Sequence, residues 1–168
     1  MKTRQVTELG LLLALSLVLA YLESLLPVMV AVPGVKLGLA NIITMLVLYL
    51  RGGKPAFFFM VLRVAMAGFL FSGISGIIYS FAGGSCCIAV MCLTKRLSFF
   101  SVAGVSITGA LAHNMGQILV AWFVMKNAHI LYYFPVLAIS GMLSGIVIGI
   151  VSGAVIRRWQ KGFPDENR

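Results

Sequence analysis

Polar positions are scarce along this chain, and they punctuate a series of apolar runs. The runs fall at roughly 6–26, 36–50, 55–72, 77–93, 99–124 and 131–156. A helix needs ~20 predominantly apolar residues to cross a bilayer, and all but the second run approach that length. None alternates polar and apolar residues as a membrane β-barrel strand does. The pattern predicts an all-α membrane protein of six transmembrane helices, with residues 1–158 as one transmembrane domain and 159–168 as a polar cytoplasmic tail. The breaks are readable too. Pro27 closes the first run, and residues 27–35 (PVMVAVPGV) are apolar yet hold two prolines and a glycine. That composition suits a short capping or re-entrant segment at the membrane surface. Arg51-Gly-Gly-Lys54-Pro55 reads as a turn, and so does the Gly/Ser segment at 72–76.

Composition agrees with the pattern. The chain is 61% hydrophobic and 10% charged, with mean hydropathy +1.06, whereas a soluble domain is about 45–50% apolar and about 25% charged. A net charge of +9 would suggest a nucleic-acid partner in a soluble protein. Here the basic residues cluster in short connections between spans, with no aromatic-basic interleaving, so nucleic acid is excluded. With the N-terminus inside, ten of the 13 Lys and Arg residues face the cytoplasm: Lys2, Arg4, Arg51, Lys54, Lys95, Arg96, Arg157, Arg158, Lys161 and Arg168. This follows the positive-inside rule for six spans with both termini cytoplasmic. Trp159 suits the inner interface, and Tyr132 and Tyr133 suit the outer one. The N-terminal run is long and lacks a small-residue cleavage site, so it reads as a retained first span rather than a signal peptide.

The direction of each span then sets the depth of its polar residues. Glu23, Lys36, Asn41, Tyr79, His113, Asn114 and Gln117 fall in the outer half, and Arg63 lies near the middle. Polar and ionisable groups at membrane depth are costly and usually face a protein interior, often at a solute site. Asn114 and Gln117 are three apart and share a helix face. Asn, Gln and His can hydrogen-bond a heterocycle, Lys36 and Arg63 can pair with a phosphate or carboxylate, and Tyr21, Tyr79 and nearby Phe residues can stack on a ring. Glu23 requires a cationic partner, for which Lys36 and Arg63 are the candidates. Such a pair could equally serve only to lock the bundle.

Two further features bear on packing and chemistry. Gly141, Gly145, Gly149 and Gly153 recur every four residues along the last span. Small residues at that spacing let helices approach closely in lipid, either within the chain or against a second copy or another subunit. Cys86, Cys87 and Cys92 share one span with no histidine at ligand spacing, so they read as packed or lipid-facing thiols and not as a metal site. No P-loop, GxSxG or HExxH occurs, and no aspartate-rich pair is present to hold the Mg²⁺ of prenyl-diphosphate chemistry. No catalytic residue is expected.

Three segments carry a family resemblance: LGLLLALSLVLAYLESLLP (9–27), PGVKLGLANIITMLVLYL (33–50) and GALAHNMGQILVA (109–121). They resemble the Gx transporter family, also labelled heptaprenyl diphosphate synthase component I, which is similar to the S components of energy-coupling-factor vitamin transporters. The resemblance covers about 1–158. It implies a multi-pass protein of the bacterial cytoplasmic membrane, with an S-component-like bundle that binds a vitamin-like solute near the extracytoplasmic face. The implied cargo is a flavin (riboflavin, FMN or FAD), bound as substrate and not as a covalent cofactor. The implied partners are the lipid bilayer, the small-molecule substrate, and either a second copy of the chain or an energising membrane subunit. S components dock through an alanine stripe in span one. Here that stripe reads Gly10/Ala14 and Ser16/Ala20, with Val18 interrupting it. The alternative reading is a non-catalytic membrane subunit accessory to isoprenoid or quinone (heptaprenyl diphosphate) synthesis.

Overall fold

The computed structural model describes residues 3–25 and 38–162. The segment 27–35, Lys36 and the far part of the predicted tail lie outside the described residues. The described chain is helical, in six main helices: α1 (Thr3–Ser24), α2 (Leu39–Arg51), α3 (Gly53–Ala67), α4 (Gly73–Lys95), α5 (Val102–Met125) and α6 (Phe134–Gly162). A π-helical turn, Gly68–Ser72, extends α3, and a 3₁₀ segment, Ala128–Tyr133, leads into α6.

Among the described residues four stretches are long and apolar enough to cross a membrane: Gln5–Ser24, Gly53–Lys95, Val102–Met125 and Ala128–Lys161. The second of these is 43 residues long, but it is not a single rod. Gly73 has φ 69° and ψ −179°, a region open essentially to glycine alone. There the chain reverses, and α4 packs antiparallel on α3. A Cβ at Gly53 would lie 2.7 Å from Cys92 Sγ, one at Gly84 would lie 2.7 Å from Met60 Sδ, and one at Gly68 would run into the Ile77 side chain. The tight turn expected over 72–76 is present, at its N-terminal side. One glycine makes the reversal, and Ser75 and Gly76 already belong to α4.

α2 is the centre of the bundle. It is 13 residues long, ~20 Å at 1.5 Å per residue, shorter than a bilayer core. Ala40 and residues 43–48 are all buried, as expected of a helix enclosed by protein rather than by lipid. α1, α3 and α6 pack against it, and α4 and α5 complete the ring through α3 and α6. The two ends of α2 are marked by Gly38, in the left-handed region at φ 72°, and Gly52 at φ 95°.

The end of the bundle where α2 stops is the basic end. Arg51 pairs there with Glu8 of α1. Lys95, at the end of α4, donates to the Leu48 carbonyl at 2.8 Å and lies 4.6 Å from the centroid of the Tyr49 ring. A cation is favourable at a helix C-terminus, where carbonyls lack partners.

α5 and α6 meet through the glycine stripe. A Cβ at Gly145 would come within 2.9 Å of Ile107 Cα, and one at Gly149 within 2.6 Å of Ala103 Cα. A Cβ at Gly153 would rest 3.6 Å from Val102, in ordinary contact. The stripe thus faces a helix of the same chain. The weaker small-residue pattern of α1 is split: Gly10 and Ala14 are exposed, and a Cβ at Gly10 would meet nothing within 4 Å, whereas Ser16 is buried.

Candidate functional site

At the opposite end of the bundle, α1, α3 and α5 finish where α2, α4 and α6 begin. The ends of α1 and α3 and the starts of α2 and α4 meet there with the middle of α5 and the first half of α6 around one cavity of about 150 Å³. Ala20 and Glu23 of α1 reach it, as do Asn41 of α2, Arg63 of α3, Ser80 of α4, His113 and Asn114 of α5, and Ser144 of α6. Five of the eight side chains predicted as solute ligands (Glu23, Asn41, Arg63, His113 and Asn114) therefore converge on a single space. Lys36 lies outside the described residues.

Tyr79 and Gln117 do not line the cavity. Tyr79 is half-buried and sits one position from Ser80, which does. Gln117 is buried on the side of α5 that meets α4, where a Cβ at Gly83 would lie 3.0 Å from Gln117 Cγ. Asn114 and Gln117 share a helix face broad enough for one to reach the cavity and the other the helix–helix seam.

The polar groups in the cavity are arranged in distinct pairs. Glu23 is only 6% exposed, and its Oε1 accepts the Gly38 backbone N–H at 2.5 Å. The left-handed turn at Gly38 aims that N–H back toward α1. Arg63 Nη2 donates to Asn41 Oδ1 at 2.9 Å, joining α3 to α2. Among the described residues Glu23 and Arg63 line the same cavity without a direct ion pair; the one between described residues is Glu8–Arg51. Arg63 Nε is buried with no hydrogen-bond partner among the described residues, an expensive state at membrane depth. Asn114 Nδ2 donates to the Leu137 carbonyl at 2.6 Å, so one edge of this amide is spent on joining α5 to α6. Gly141 is the position where α6 admits that amide, since a Cβ there would collide with Nδ2.

Apolar and aromatic groups close the rim. Phe71, in the π-helical turn, lines the cavity, and its ring lies 5.4 Å from that of Tyr21, tilted by 41°. Single turns of π-helix recur at functional sites, and this one contributes Gly68, Phe71 and Ser72 to the lining. Reasoning from the sequence did not single out Gly38, Phe71 or Ser144. Phe71 was one of many phenylalanines, and Ser144 lay between glycines of the packing stripe. The lone glycine before α2 carried no signal of a backbone donor.

The family model described as heptaprenyl diphosphate synthase component I matches residues 12–155. No curated protein and no solved structure matches the chain. The matched region includes the cavity-lining part of every helix, and the protein belongs to the heptaprenyl diphosphate synthase component I family.

Proposed function

We propose that this protein is a non-catalytic, six-span membrane component that binds and carries a small polar solute. In this reading both termini are cytoplasmic and the cavity opens on the extracytoplasmic side. The observation that carries it is the convergence of Glu23, Asn41, Arg63, His113 and Asn114, from four separate helices, on one cavity. A scaffold needs no such space. Arg63 makes no direct ion pair with a carboxylate among the described residues, although Glu23 lines the same cavity, and charge-assisted bonds from a guanidinium to a phosphate or carboxylate are among the strongest available. The solute class is therefore an anion or a molecule with an anionic end. The volume of about 150 Å³ is below the ~300–1,000 Å³ of pockets that enclose whole drug-sized ligands. It suits the polar end of a vitamin-sized molecule, with Tyr21 and Phe71 offering ring faces beside it. A flavin with a phosphate end inward, such as FMN, is the first cargo to test, with neutral riboflavin as the comparison.

The test is to purify the full chain in mild detergent, record its absorbance, and identify any retained small molecule by mass spectrometry. Riboflavin and FMN are then titrated with melting temperature as the readout. A flavin chromophore, or a thermal shift that Arg63→Gln weakens by roughly ten- to a hundredfold, supports the proposal. Protein with no bound solute and no shift with any anionic vitamin counts against it. The second reading is a membrane accessory subunit of heptaprenyl diphosphate synthesis, favoured by the family's description as component I. Co-purification with a prenyl synthase, together with an empty and unresponsive cavity, would select it.

A further inference from the structure

The basic end of the bundle holds a second, more open groove of about 570 Å³ between the start of α3 and the end of α4. The close approach of Gly53 to Cys92 sets its floor. Lys54, Lys95 and Arg96 line it together with Phe57 and Phe58, and no carboxylate does. The nearby Glu8 is engaged by Arg51. Lys95 is held in place by the Leu48 carbonyl and the Tyr49 ring, whereas Lys54 and Arg96 are exposed. Phe58 is 71% exposed and continues the groove along the outside of α3. The first turn of α3 has no side-chain cap, because its N-cap residue is Gly52, so its backbone N–H groups add to the positive potential here.

The positive-inside rule accounts for basic residues at a membrane surface. It does not require them to share a cleft with two aromatic rings, or one lysine to be clamped. Basic pockets between membrane helices are a recurrent means of holding anionic lipid headgroups. We propose that this groove binds an anionic phospholipid, with its headgroup among Lys54, Lys95 and Arg96 and its chain along Phe57 and Phe58. The inference is independent of what the central cavity holds, since none of these residues lines that cavity.

Native mass spectrometry of the full chain, released from nanodiscs of mixed phosphatidylglycerol and phosphatidylcholine, tests it. Phosphatidylglycerol should be retained in preference to phosphatidylcholine. Replacing one exposed cation, Lys54→Ala or Arg96→Ala, should weaken retention by roughly fivefold, and replacing both by roughly thirtyfold, at about 1 kcal/mol per basic residue. The melting temperature should stay within a degree or two, because both side chains are exposed. Phe58→Ala should weaken lipid retention without changing the response to inorganic pyrophosphate, which separates a lipid from a soluble phosphate. Equal retention of the two lipids, or wild-type retention by the Lys54→Ala/Arg96→Ala variant, would overturn the proposal. So would pyrophosphate binding in the absence of any retained lipid.

Discussion

Asn114 shows what one residue in a membrane helix is asked to do. Its position in an apolar span marks it as functional from sequence alone, and it lines the cavity. Its amide N–H₂ is nevertheless committed to the Leu137 carbonyl, in a niche that exists because residue 141 lacks a side chain. Asn114→Ala should cost ~0.6–1.7 kcal/mol of stability, the range for hydrogen bonds between membrane helices, apart from any loss of solute affinity. Gly141→Ala should also destabilise, because its new methyl group would occupy the position of the amide. The Asn114→Ala/Gly141→Ala double variant should be more stable than the sum of the two losses predicts, as neighbours that share one space are non-additive. Melting temperatures of the four proteins in one detergent decide this, and strict additivity would break the proposed link between the two positions.

Among the elements, the α5–α6 pair depends most directly on glycine. The sequence showed a four-residue repeat and left its partner open among three choices. In the fold the repeat lies against Ala103, Ile107 and Ala110 of α5, with backbone rather than flexible side chain as the nearest neighbour at Gly145 and Gly149. Backbone cannot move aside cheaply, so Gly145→Leu and Gly149→Leu should each destabilise by about 1–3 kcal/mol through overpacking. Because the stripe is occupied within the chain, these variants should melt earlier while eluting with the same mass from size-exclusion chromatography with light scattering. A change of oligomeric state at unchanged melting temperature would contradict the assignment of the stripe to α5.

The whole molecule has two unlike ends. The cavity gathers side chains at one, and Arg51, Lys54, Lys95 and Arg96 gather at the other. Under the positive-inside rule the basic end is the one expected in the cytoplasm, as the proposed topology has it. In a variant with Cys86, Cys87 and Cys92 replaced, a cysteine introduced at Lys126 should react with a membrane-impermeant maleimide on intact cells. One at Lys54 should react only after the membrane is opened. The reverse pattern would invert the topology and turn the cavity toward the cytosol.

The helices, their apolar character and the shortness of the second apolar run were all legible in the sequence. Each of these follows from how far a run of residues reaches and which side chains tolerate lipid, and both are properties of a local segment. The family was legible as well, through motifs at the end of the first span, in the second and in the fifth. Which polar residues meet was a different matter. Asn114 and Gln117 looked equivalent as neighbours on one helix face, yet one reaches the cavity and the other lies in the seam with α4, because the rotation of α5 is set by what Gly83, Gly109 and Gly141 allow to approach. Arg63 bonds to Asn41 and makes no direct ion pair with Glu23 among the described residues, a choice the sequence left open. Periodicity fixes the face of a helix only to within a broad arc, and the packing of neighbouring backbones decides which atoms within that arc come within bonding distance.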